Sequence, residues 1–157
     1  MDLAVRSGFV CEHTLHGFER IDTGFLIKGE IACLGEIVIT VYKELEIVGA
    51  VADDFKIQTW RYAYNASVRG FNNFLRYDDA REYPGHQDRY HRHDFDWRTG
   101  HELPGSPRWI GLPSWPVLSN FIDIVREWHE AHRSELPNPD RCPKLGARSG
   151  DQYPEQR

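Results

Sequence analysis

Apolar side chains occupy alternate positions at Phe25, Ile27, Ile31 and Cys33, and again at Ile37, Ile39 and Val41, with Leu34 and Gly35 between the two runs. A period of two belongs to a strand with one buried face, so the stretch predicts an antiparallel hairpin. After a break at Gly49 to Asp54 comes an aromatic and β-branched run, Phe55 to Tyr64, and Gly70 then marks a turn into Phe71 to Asp78. Four successive strands with short connections predict a meander. From Pro84 to Pro113 the chain is dense in Pro, Gly, His and charge, which reads as loop with one short strand near Tyr90 to Trp97.

The period changes after Pro116. Val117, Leu118, Phe121, Ile122, Val125 and Trp128 recur at helical spacing, with Arg126, Glu127 and Glu130 on the other faces. This amphipathic helix needs an apolar surface, and the sheet supplies one. Beyond Arg133, Pro137, Pro139, Pro143 and Pro154 stand in a stretch with little apolar content. The expected fold is therefore α+β: an antiparallel β-meander of about four to five strands with a C-terminal amphipathic helix packed on one face. Residues 1–134 form the expected domain, and 135–157 a Pro-rich flexible tail.

A helix on one face leaves the other open. If Leu75 and Tyr77 point to the core, alternation turns Phe74, Arg76 and Asp78 the opposite way, and Lys28 and Glu30 follow the same rule. The open face is thus expected to be charged.

Composition narrows the class without naming a chemistry. At 157 residues, one core is the expectation. No long uncharged apolar run exists, and Asp2, Arg6, Glu12 and Glu19 interrupt the start of the chain, so neither a membrane span nor a signal peptide is expected and the cytoplasm is the expected compartment. Cys11, Cys33 and Cys142 are odd in number and widely spaced, which predicts reduced, structural thiols. The net charge of −5 provides no bulk field for a polyanion, which leaves a local positive patch as the way to bind one. No phosphate-cradling Gly loop, Gly-x-Ser-x-Gly elbow or His-Glu-x-x-His occurs. That removes the commonest NTPases, hydrolases and metalloproteases, and no organic cofactor is implied.

Candidate chemistry concentrates between Arg76 and Asp96, which holds His86, His91 and His93 among Arg76, Arg89, Arg92, Asp78 and Asp94. In a strand, His91 and His93 share a face. Two such imidazoles can act as general acid and base on a phosphodiester, with Asp78 orienting a partner and Arg76, Arg89 and Arg92 on phosphate. Tyr62 and Tyr64, with Trp60, offer stacking surfaces for bases, and Tyr77 and His86 complete the candidate substrate contacts. The same residues can instead hold a divalent metal through His86, His91, His93 and Asp94. They can also be a solvated, salt-bridged surface, or a non-enzymatic Arg/Asp/aromatic contact face for another macromolecule. His13, His16, His129 and His132 read as structural or solvent-facing.

The order of these features, a glycine-bearing hairpin, Tyr62-Ala63-Tyr64, Arg76-Tyr77-Asp78-Asp79-Ala80, Pro84 and His91-Arg92-His93, resembles the TumE-like toxins of bacterial type II toxin–antitoxin systems. The resemblance covers roughly Thr23 to His93. It places Tyr62 and Tyr64 on the family's tyrosines, Arg76, Tyr77 and Asp78 on its Arg-Tyr-Asp, and His91 and His93 on its His-x-His. The chain departs at Asn65, where the family has His, at Asp79, where it has Asn, and at Arg81-Glu82-Tyr83, which replaces a Pro-His-His run. The resemblance implies a growth-inhibiting toxin neutralised by a cognate antitoxin that is encoded by the adjacent gene and carries a DNA-binding domain. RNA is the expected target by analogy of biological class, through metal-independent ribonuclease chemistry.

Overall fold

The computed structural model describes residues 8–20, 24–51, 54–79, 90–111 and 116–146. Ala80 to Arg89, and with them the expected site residues His86 and Arg89, lie outside that set, as does the end of the chain from 147.

One antiparallel sheet organises the protein. Its strands are β1 (Val10–His13), β2 (His16–Arg20), β3 (Gly24–Cys33), β4 (Ile37–Val51), β5 (Asp54–Val68), β6 (Asn73–Asp78), β7 (His91–Asp94) and β8 (Arg108–Trp109). Their order is β1-β3-β4-β5-β6-β7-β8, and β2 pairs with β3 on the same side as β1. The central meander, β3 to β7, is the one expected from the apolar period. Among the described residues the count of eight exceeds the expected four to five because β1, β2 and β8 are short and lie at the edges. Edge strands with exposed side chains, as in β1, carry no alternating apolar signal.

The helix α1 (Leu118–His132) lies against one face. Phe121, Ile122 and Val125 are buried, and the Phe121 ring meets those of Tyr64 and Tyr77 at 5.5 and 5.7 Å. Burying each such side chain contributes about 1.5–3 kcal/mol. The core continues across the same face through Ile31, Ile39, Val41 and Ala66. Among the described residues, no helix is long and apolar enough to cross a membrane.

Phe74 departs from simple alternation. The pairing of β5 with β6 shifts register between Ala66 and Ser67, so that Ala66 faces Leu75 while Ser67 faces Asn73. This bulge frees Phe74 from the open face, and its ring stacks on Trp128 of α1 at 3.7 Å. Both Phe74 and Leu75 are buried.

The segment after α1 is no loose tail as far as Gly146. Leu136 is buried, His129 Nε2 donates to the Pro139 carbonyl at 2.8 Å, and the amide of Glu36 donates to the Arg141 carbonyl at 2.9 Å. Arg69 reaches the Lys144 carbonyl, and the amide of Leu145 donates to Glu12. Cys142 is disulfide-bonded to Cys11, which overturns the expectation of three free thiols, whereas Cys33 is free and buried. The prolines there shape a strap whose carbonyls find partners on the body. Gly35, in the 3-10 turn Leu34–Glu36, accommodates this seam: at φ +79°, any Cβ would stand 2.7 Å from the His129 ring.

Candidate active site on the open face

The pairing of β6 with β7 sets Arg76 opposite His93 and Asp78 opposite His91. Cross-strand partners share a face, so all four point away from the face that carries Tyr64, Tyr77 and α1. Arg76 Nε donates to Asp78 Oδ2 at 2.6 Å. The other carboxylate oxygen, Oδ1, lies 3.4 Å from His91 Nδ1, and Oδ2 lies 3.9 Å from His93 Nε2. One carboxylate therefore gathers a guanidinium and two imidazoles.

The two histidines are not equivalent. His91 is 1% exposed and its ring lies 6.1 Å from that of Trp109 on β8, so it does not reach the solvent. Equal acid and base roles for the pair are thus corrected: His91 supports Asp78 from within. The His93 side chain is 23% exposed and that of Arg76 33%, which makes these two the reachable groups.

His93 has a second anchor. Its Nδ1 lies 2.7 Å from Glu102 Oε1, and its ring stacks on Phe95. An ionised carboxylate only accepts, so Nδ1 carries a hydrogen, and in the neutral ring the lone pair is on Nε2, on the Asp78 side. Glu102 is itself held, because Ser106 Oγ donates to its Oε1 at 2.8 Å and accepts from the Asp94 amide at 2.9 Å. Such a chain of bonds fixes ring orientation and tautomer together.

Glu102 and Ser106 were not among the expected residues. They return to the site through the turn at Asp96 to Gly100, where the Asp96 side chain accepts from the amides of Arg98 and Thr99, after which Glu102 bridges back to Phe95. An Asp followed four residues later by Gly at positive φ is a turn signal, and counting across it pairs Phe95 with Glu102. Those amides hold the Asp96 carboxyl below its usual range.

Other expected contacts lie on the wrong side. Tyr62 and Tyr64 are each 1% exposed beneath the helix face and Tyr77 is buried beside them, so none offers a ring to a base on the open face. Burial, aided by the nearby Asp79 and Asp78 charges, pushes the Tyr62 hydroxyl up, and burial pushes that of Tyr64 to about 12. Asp79 holds the backbone of β5, where its Oδ1 accepts from the Tyr62 amide at 3.0 Å. Arg92 lies between His91 and His93 in sequence and hence across the sheet from them. It forks onto Asp94 at 2.8 and 3.0 Å and reaches the Tyr77 hydroxyl at 3.1 Å. Burial works against its charge, but these bonds outweigh burial and hold the guanidinium above its ordinary range.

The same alternation removes Asp94 from any metal set with His91 and His93, since it faces Arg92 and Arg108 on the other side. Among the described residues, no three His, Cys, Asp or Glu side chains gather as a cation site. Comparisons of the chain with protein families, with curated proteins and with solved structures found no match.

Proposed function

We propose that the open face carries a metal-independent phosphodiester-cleaving site that acts on RNA, and that the chain is the toxin of a toxin–antitoxin pair. The observation that supports this reading is His93: a reachable imidazole, oriented by Glu102, with its basic nitrogen beside the Arg76–Asp78 pair. His93 Nε2 takes the proton from a ribose 2′-hydroxyl and the 2′-oxygen attacks phosphorus. Arg76 stabilises the charge on the phosphorane, the P–O5′ bond breaks, and the leaving oxygen takes a proton from water. The products are a 2′,3′-cyclic phosphate and a 5′-hydroxyl.

Two family departures fit this site. Asn65 is the register partner of Arg76, which in turn pairs with His93, so the position where the TumE-like pattern has His lies in the same row of the open face. Asp79 keeps the side-chain acceptor that an Asn there would present to Tyr62. Expression of the chain alone should arrest growth and yield RNA fragments with cyclic phosphate ends. A folded His93→Ala variant that still does both would overturn the reading.

A second reading, contact with an antitoxin or another macromolecule, draws on the far end of the β4–β5 hairpin. Among the described residues the ladder has no third strand beyond Glu46 and Gln58, and Ile47, Val48, Ile57 and Trp60 are all more than a third exposed. An apolar arm of this kind suits a protein partner. Replacing Ile57 and Trp60 by Asp should abolish a complex with the adjacent gene's product and leave RNA cleavage intact. The expected cytoplasmic setting bears on Cys11 and Cys142, because such compartments keep thiols reduced. Acid-quenched alkylation of the protein in cells decides that point directly.

A further inference from the structure

A cleft of about 580 Å³ opens on the helix face, between α1 and β7 with the turn that follows it. Phe121 meets Tyr77 and Trp128 stacks on Phe74, so α1 runs opposite to β6 and hence alongside the antiparallel β7. Helical spacing puts Ile124, Glu127, Ala131 and Glu135 on one wall, and alternation puts Arg92, Asp94, Asp96 and Arg98 on the other. Between the walls lies an apolar floor, made by the buried Phe74, Leu75 and Trp97 with the half-buried Trp128. The volume is that of a small-molecule site.

Charge is uneven along the cleft. At one end Arg98 Nη2 donates to Glu135 Oε2 at 2.9 Å, from wall to wall, and at the other Arg92 forks onto Asp94. Both guanidiniums of the lining are thereby taken, which disfavours an anionic ligand such as a nucleotide. His132, also in the lining, is committed through Nδ1 to the Trp128 carbonyl. The middle differs. Among the described residues the Glu127 side chain has no ion pair or hydrogen bond. Asp96 accepts the amides of Arg98 and Thr99 through Oδ1, which leaves Oδ2 unengaged. Two arginines against four carboxylates leave an excess of two negative charges, and Glu127 and Asp96 carry it.

We propose that this cleft binds an organic cation with an aliphatic body, of the class of the linear polyamines, with ammonium groups at Glu127 and Asp96 and methylenes on the floor between them. A hydrated metal ion offers the charge without a body to bury, so the floor discriminates between the two. The site lies on the face opposite His93 and is independent of the RNA-cleavage reading.

The test is titration of the intact protein with spermidine, 1,3-diaminopropane, 1,5-diaminopentane and Mg2+ at fixed ionic strength, followed by NMR on the indole N–H signals. Spermidine and the longer diamine should saturate, and the longer diamine should bind more tightly than the shorter, by up to about fourfold for each methylene fully buried. Mg2+, with the charge of a diamine, should bind more weakly than either. Glu127→Gln, which keeps the shape and removes the charge, should weaken spermidine about tenfold. Ala131→Trp, which fills the cleft, should abolish binding. Both positions are exposed on α1, so the fold should survive, and should one variant fail to fold the other carries the test. Mg2+ binding as tight as that of the diamines, no gain with chain length, or affinity undiminished in a folded variant overturns the site. Amines that fail to bind, with a complex with the adjacent gene's product lost in Ala131→Trp, make the cleft a protein-docking groove and overturn it equally.

Discussion

Glu102 lies 2.7 Å from Nδ1 of His93 and thereby decides which nitrogen of that ring holds the hydrogen. Glu102→Ala should let the imidazole populate both tautomers, visible in its 15N shifts, whereas the wild type shows a protonated Nδ1. Cleavage should fall with it, by less than the roughly 100-fold or greater loss expected for His93→Ala. An unchanged tautomer in the variant would remove Glu102 from the mechanism.

Asn65→His should raise cleavage. The position shares a register row with Arg76 and His93, so a histidine there adds a second imidazole on the open face, which His91 is too buried to provide. The pH profile should change shape as well as height, because a second titrating group enters the reaction.

The Cys11–Cys142 bond closes a loop over a sequence separation of 131 residues, and on chain-entropy grounds a loop of that size is worth about 4–5 kcal/mol. Cys142→Ser, or a reductant, should lower the thermal midpoint accordingly. Under native reducing conditions Cys11 and Cys142 should alkylate readily. Cys33 should not react until unfolding, since burial pushes its thiol up to about 12.

Tyr64 links stability to alkaline pH. Its folded-state value of about 12 stands above the usual 10, so folding favours the protonated hydroxyl. The associated stability is complete below pH 10 and is lost as pH rises through 12. Tyr64→Phe, which has no hydroxyl to ionise, should unfold later on alkaline titration monitored by circular dichroism.

Trp128 joins the bulge to the helix. It stacks on Phe74 and meets Trp97 edge-on at 6.4 Å. Trp128→Ala should cost about 3–5 kcal/mol in denaturant unfolding.

Alternation is enough to bring Arg76 and Asp78 to His91 and His93, because both segments are strands and each side chain takes its face from its place in the strand. Applied one residue further, it also puts Arg92 and Asp94 on the opposite face, where they bind each other. Their closeness to the histidines in sequence is misleading. Simple alternation misplaces Phe74, because one unpaired residue shifts the period and leaves no mark in the hydrophobic pattern. The ring beside His91, that of Trp109, arrives from β8, a strand of two residues that no periodicity reveals. The strap reads as a tail because carbonyl partners and a disulfide replace the apolar contacts by which a sequence advertises burial.

The bond between Cys11 and Cys142 also closes the chain between them into a covalent ring. A single proteolytic cut anywhere between the two cysteines opens the ring without separating its pieces. Nicked protein should therefore migrate as one species on a non-reducing gel and as two after reduction. The strap thus joins the start of the sheet to the end of the described chain in a way that outlasts a break in the backbone.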